Sequence, residues 1–88
     1  MEINAIRIHQ SDNVAVAVEK IPGGAEIVSA AGSLGAAAED IPRGHKVALS
    51  GIPKGAAVAK YGETIGVASK EIGAGRHVNE NNMKAEDA

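Results

Sequence analysis

Short apolar runs, each closed by a turn, divide this chain into brief strands. Residues 3–9 alternate weakly, with Ile3, Ala5, Arg7 and His9 on one face and Asn4, Ile6 and Ile8 on the other, and they stop at the polar Ser11-Asp12-Asn13. Residues 14–18 read as a buried strand. Residues 26–29, 46–49, 57–61, 64–68 and 77–78 are the other strand segments. The alanine-rich residues 36–40 favour one helical turn, with Gly32 and Gly35 just ahead weighing against it. Residues 79–88 are polar and carry Glu80, Lys84, Glu86 and Asp87, which predicts a mobile tail following a domain of residues 1–78.

One phrase punctuates the pattern four times: Ile21-Pro22-Gly23-Gly24, Ile41-Pro42-Arg43-Gly44, Ile52-Pro53-Lys54-Gly55 and Ile72-Gly73-Ala74-Gly75. The spacings of 20, 11 and 20 residues are those of a duplication with a period of 31. Laying residues 16–47 over residues 47–78 gives 11 identical pairs in 32, among them Ile21 with Ile52, Gly24 with Gly55, Ile41 with Ile72 and Gly44 with Gly75. Two copies are too few for a solenoid, so the expectation is one pseudo-two-fold all-β domain. In the first three phrases Pro would set φ at the second turn position; in each phrase Gly would take the positive φ that follows, and the leading Ile would anchor the turn in the core.

Composition sharpens this picture. With 88 residues there is room for one domain only. The 9 Ile and 8 Val against 2 Leu favour pleated strands, and no Phe or Trp accompanies the single Tyr61. Nine basic against 11 acidic groups, with no basic cluster and no aromatic platform, make nucleic acid an unsuitable partner. The absence of Cys removes disulfides and thiolate chemistry and fits a cytoplasmic location. Charged residues interrupt the first twenty positions, so neither a signal peptide nor a membrane span is expected.

Candidate chemistry is sparse. His9, His45 and His77 show no metal-ligand spacing, and surface or capping roles suit them; His45 and His77 lie one residue out of register in the two copies. His9, Ser11 and Asp12 contain the letters of a triad but crowd into one turn, where an Asx turn by Asp12 or Asn13 is the simpler reading. No GxGxxG or GxxxxGK[ST] occurs, so the glycines at 32–35 and 73–75 read as turn residues. Lys60-Tyr61-Gly62 could present a ring and a hydroxyl at a strand end, although Tyr61 filling a core of small residues is the plainer expectation.

Ile6-Arg7-Ile8-His9 with residues 12–17, Asp40-Ile41-Pro42-Arg43-Gly44-His45-Lys46-Val47-Ala48-Leu49, Lys60-Tyr61-Gly62 with Ile65, Gly66 and Ala68, and finally Ile72 with Gly75 together resemble the SAF-type domain of the altronate and galactarate dehydratases. The resemblance runs from about residue 3 to residue 82. It implies a β-clip fold, as in type III antifreeze proteins. It also implies a small accessory subunit of a hydro-lyase or related lyase acting on a sugar acid or other hydroxy carboxylic acid, as in the two-subunit sulfolactate lyase. No cofactor would bind this chain, and a divalent metal or iron would belong to a larger catalytic subunit. The residues expected to line the shared substrate site are His9, Asp12, His45, Lys46, Lys60 and Tyr61. Lys46 or Lys60 would neutralise a carboxylate, and His9 or His45 would assist proton transfer. Relatives often close the domain with Val-His-x-His-Asn, where this chain has Val78-Asn79-Glu80-Asn81-Asn82; Asn79 and Asn81 can hydrogen bond but are poor metal ligands. A binding module for carbohydrate or protein is the alternative of another class.

Overall fold

A computed structural model describes residues 2–85 and contains strands, turns and no helix among them. The strands are β1 (Ala5–Ile6), β2 (Val14–Ala17), β3 (Glu26–Ser29), β4 (Gly32–Ala36), β5 (Lys46–Ala48), β6 (Ala57–Lys60), β7 (Glu63–Ala68), β8 (His77–Val78) and β9 (Met83–Ala85). They form a four-stranded sheet in the order β1-β2-β5-β8, a β3-β4 hairpin and a three-stranded β6-β7-β9 sheet, with every pairing antiparallel. The architecture is the all-β β-clip that the resemblance implies.

The four Ile of the repeated phrase anchor this arrangement. Ile21 bridges Ile41, and Ile52 bridges Ile72, through paired backbone hydrogen bonds of 2.8–2.9 Å. All four side chains are at most 1% exposed. Each contributes about 1.5 to 3 kcal/mol by leaving water. They divide between two cores, one holding Ile21, Ile27, Ile41 and Val47, the other Val14, Ile52, Val58, Ile72 and Val78. Behind each Ile the turn closes with a bond from residue four to residue one, such as Ala25 N–H to Pro22 O at 3.0 Å, and with positive φ at Gly24, Gly44, Gly55 and Gly75. Pro therefore opens the turn and does not occupy its second position. Gly73 replaces it in the fourth turn, where Arg76 N–H still reaches Gly73 O.

The two hairpins share one register. Glu26 faces Ala36 and Ile27 faces Gly35, then the register slips; 31 residues on, Ala57 faces Val67 and Val58 faces Gly66 before the same slip. An asparagine clamps each bulge. Asn4 donates to Glu26 O and accepts from Val28 N–H, both at 2.8 Å, while Asn13 donates to Ala57 O at 2.9 Å and accepts from Ala59 N–H at 2.8 Å. These amide side chains satisfy the groups that the bulge leaves out of the ladder.

Three sequence expectations change. Residues 36–40 end strand β4 and then bend, because Ala36 and Ala37 serve the hairpin ladder and its turn; Ala37 O accepts from Gly24 N–H at 2.7 Å. Residues 3–9 supply only the two-residue β1, and Ile3, Ile6 and Ile8 are 44–55% exposed. The polar stretch after Val78 does not leave the domain at once. Asn79 and Asn82 build a turn with their own side chains, and Met83–Ala85 then pairs with β7. Residues 86–88 of the expected tail lie outside the described residues.

Candidate functional site

The six residues expected to line a site fall into two neighbourhoods. The first surrounds the β6–β7 turn. Asp12, 2% exposed, accepts from His9 N–H and Tyr61 N–H at 3.0 Å and from Gly62 N–H at 2.8 Å. Burial raises its pKa, but the donors at Gly62, His9 and Tyr61 and the nearby His9 ring outweigh that, and the carboxyl is held below its ordinary value. Its bonds are therefore not those of a local Asx turn, since two of its three donors lie across the domain. Arg7 braces the same loop by donating to Asp12 O at 3.0 Å.

Tyr61 is 55% exposed with φ of 57°, so it does not fill the core. Asp12 fixes its backbone in the left-handed region, which turns the ring outward, and the Lys60 ammonium sits 4.7 Å from the ring centroid. His9 Nδ1 lies 2.7 Å from Ser11 Oγ, and its ring packs over Gly62, where an added Cβ would come within 3.1 Å of it. Only backbone without a side chain fits beneath that ring.

The second neighbourhood is a shallow open cleft of about 550 Å³ lined by Gly44, His45, Lys46, His77, Val78, Asn79, Glu80 and Asn81. Antiparallel pairing of β5 with β8 sets Lys46 opposite Val78 and Val47 opposite His77. His45 Nδ1 and His77 Nε2 then meet at 2.8 Å, with ring centroids 4.9 Å apart. His77 Nδ1 receives the Asn79 amide at 3.1 Å, and His77 N–H donates to Glu39 Oε2 at 3.0 Å. Partial burial first, then the charges of His45 and Lys46, lower the His77 pKa against the opposing pull of Glu39. Burial, followed by the charge of Lys60, lowers that of the half-buried Lys46. Lys60 thus links the two neighbourhoods electrostatically.

His77 and Asn79 were absent from the sequence-based site. The one hint in the sequence was that His45 and His77 lie near equivalent points of the repeated phrases; their contact comes from the β5–β8 pairing. Among the described residues no three His, Asp or Glu side chains are grouped to hold a metal ion. The His45–His77 contact is a hydrogen bond, and Asn79 occupies the remaining nitrogen of His77.

The sequence profile of the altronate/galactarate dehydratase SAF domain matches residues 3–86. The chain belongs to that family. No curated protein matches the chain in sequence. The match ends beyond β9, so the SAF domain includes the Asn79–Asn82 turn and the third strand of the β6-β7-β9 sheet. As a SAF domain the chain is of a dehydratase-associated type. No helix among its described residues is long and apolar enough to cross a membrane.

Proposed function

We propose that this SAF domain is an accessory subunit of a larger lyase chain that eliminates water, or a related leaving group, from a hydroxylated carboxylic acid. Its cleft forms one wall of the substrate site. The observation that carries this reading is the half-buried Lys46 ammonium beside the hydrogen-bonded His45–His77 pair on an open surface. Elimination next to a carboxylate requires a base for the α-proton, an acid for the leaving oxygen and a cation to hold the carboxylate. Lys46, with Lys60 behind it, supplies the last, and His45 supplies a hydrogen bond to a substrate oxygen. The base and a divalent metal or iron come from the larger chain, since the carboxylate of Asp12 is committed to three backbone donors. Asp12, His9 and Tyr61 shape the adjoining turn.

Reconstitution tests this. The purified chain is mixed with the large catalytic lyase chain of the same cells, and 2-oxo acid formation is followed over a panel of aldonic and aldaric acids. Turnover by the mixture, with neither component active alone, is the expected result. Equal turnover by the large chain in the absence of this one would contradict the proposal.

A further inference from the structure

Asn79 gives the two-histidine contact a direction. The Asn81 backbone N–H can only donate, so the Asn79 side-chain atom 2.8 Å from it is the amide oxygen. The amide nitrogen therefore faces His77 Nδ1 at 3.1 Å, and because an NH₂ group only donates, that ring nitrogen carries no hydrogen. A neutral His77 keeps its hydrogen on Nε2, 2.8 Å from His45 Nδ1, which must accept. His45 is left with its own hydrogen on Nε2, an atom with no protein partner among the described residues.

We propose that Asn79 is a positioning residue that holds both histidines as the Nε2–H tautomer, so that His45 offers the cleft a hydrogen-bond donor suited to a carboxylate or hydroxyl oxygen in place of a base. What this donor meets rests on the substrate-wall reading above; the tautomers belong to the free chain. The charges around the pair act in the same direction on balance. His45 and Lys46 disfavour a second positive charge at His77. Glu39 favours one, but Arg76 lies 4.0 Å from its carboxylate.

Substituting Asn79→Asp reverses the chain. One carboxylate oxygen still takes the Asn81 N–H, while the other now accepts from His77 Nδ1–H. His77 Nε2 then accepts from His45 Nδ1–H, and His45 Nε2 becomes a bare acceptor.

Long-range ¹H–¹⁵N correlation spectra of the histidine rings in the full chain, without substrate or partner, test this. Both rings should be Nε2–H at neutral pH. In Asn79→Asp, His77 should change to the Nδ1–H or doubly protonated form and titrate about one pH unit or more higher. An Nδ1–H form of either ring in the parent protein would overturn the proposal. So would an Asn79→Asp variant with a folded backbone spectrum and an unchanged His77. Should that variant not fold, the parent spectrum decides alone. Because no lyase activity is read, failure of the reconstitution leaves this result standing, and the reverse is equally true.

Discussion

Asp12 and Gly62, fifty residues apart, are joined by a 2.8 Å hydrogen bond from the Gly62 amide to Asp12 Oδ1. With the companion bond from Tyr61 N–H, it ties the turn before β2 to the turn between β6 and β7. One buried carboxylate thus sets both the left-handed backbone of Tyr61 and the outward position of its ring.

This contact makes stability depend on pH in a defined direction. Asp12 is held below the ordinary aspartate value of 3.8 in the folded chain, so its contribution is complete above that value and is lost as pH falls through the depressed folded value. Asp12→Asn should cost on the order of 1.5 to 3 kcal/mol at neutral pH, since hydrogen bonds to a charged acceptor are replaced by weaker ones. Urea unfolding of parent and variant between pH 7 and pH 2 should show the difference shrinking in acid. A difference independent of pH would mean that the carboxylate charge is not what holds the turns.

Gly44 and Gly75 occupy equivalent turns, with φ of 83° and 82°, but in different surroundings. A Cβ at Gly44 meets nothing, whereas one at Gly75 falls against Ala36 O and 2.8 Å from Ala38 N. Ala at either site incurs the left-handed cost of roughly 1 to 2 kcal/mol. Gly75→Ala should exceed that by a further 1 kcal/mol or more, because it must also push β4 away from the turn and strain the 2.9 Å bond from Ala38 N–H to Gly75 O. Thermal melts of both variants measure the gap, and equal losses would show that the turn yields freely.

The parts of this fold that local chemistry dictates were legible in the sequence. The four Ile-led turns announce themselves through Gly at the positive-φ position, and β3 matches its expected bounds of 26–29. Strand β4 was hidden by Gly32 and Gly35, which weaken a strand pattern although here they serve a bulged hairpin with φ of 115° and 110°. Strand β9 was hidden because its ordering comes largely from Asn79 and Asn82 side chains and from Gly66, whose missing Cβ leaves room for Lys84 O, with Met83 its one apolar contact to the core. The site was half legible for the same reason. Lys46 and His45 stand out as residue types, but His77 and Asn79 join them only through the β5–β8 register. The roles of Asp12 and Asn13 depend on partners more than forty residues away, which no local pattern displays.

The central claim, that the cleft of His45, Lys46, His77 and Asn79 meets the substrate, is tested most directly by kcat/KM of the reconstituted lyase pair carrying Lys46→Ala or His45→Ala. Exposed Lys54→Ala serves as the control. A charge-assisted contact to a carboxylate is worth about 1.5 to 3 kcal/mol, which predicts a loss of roughly tenfold or more for each cleft variant and none for Lys54→Ala, with all three chains still folded. Rates for the cleft variants within about twofold of the parent would contradict the account and leave the cleft without a part in the chemistry.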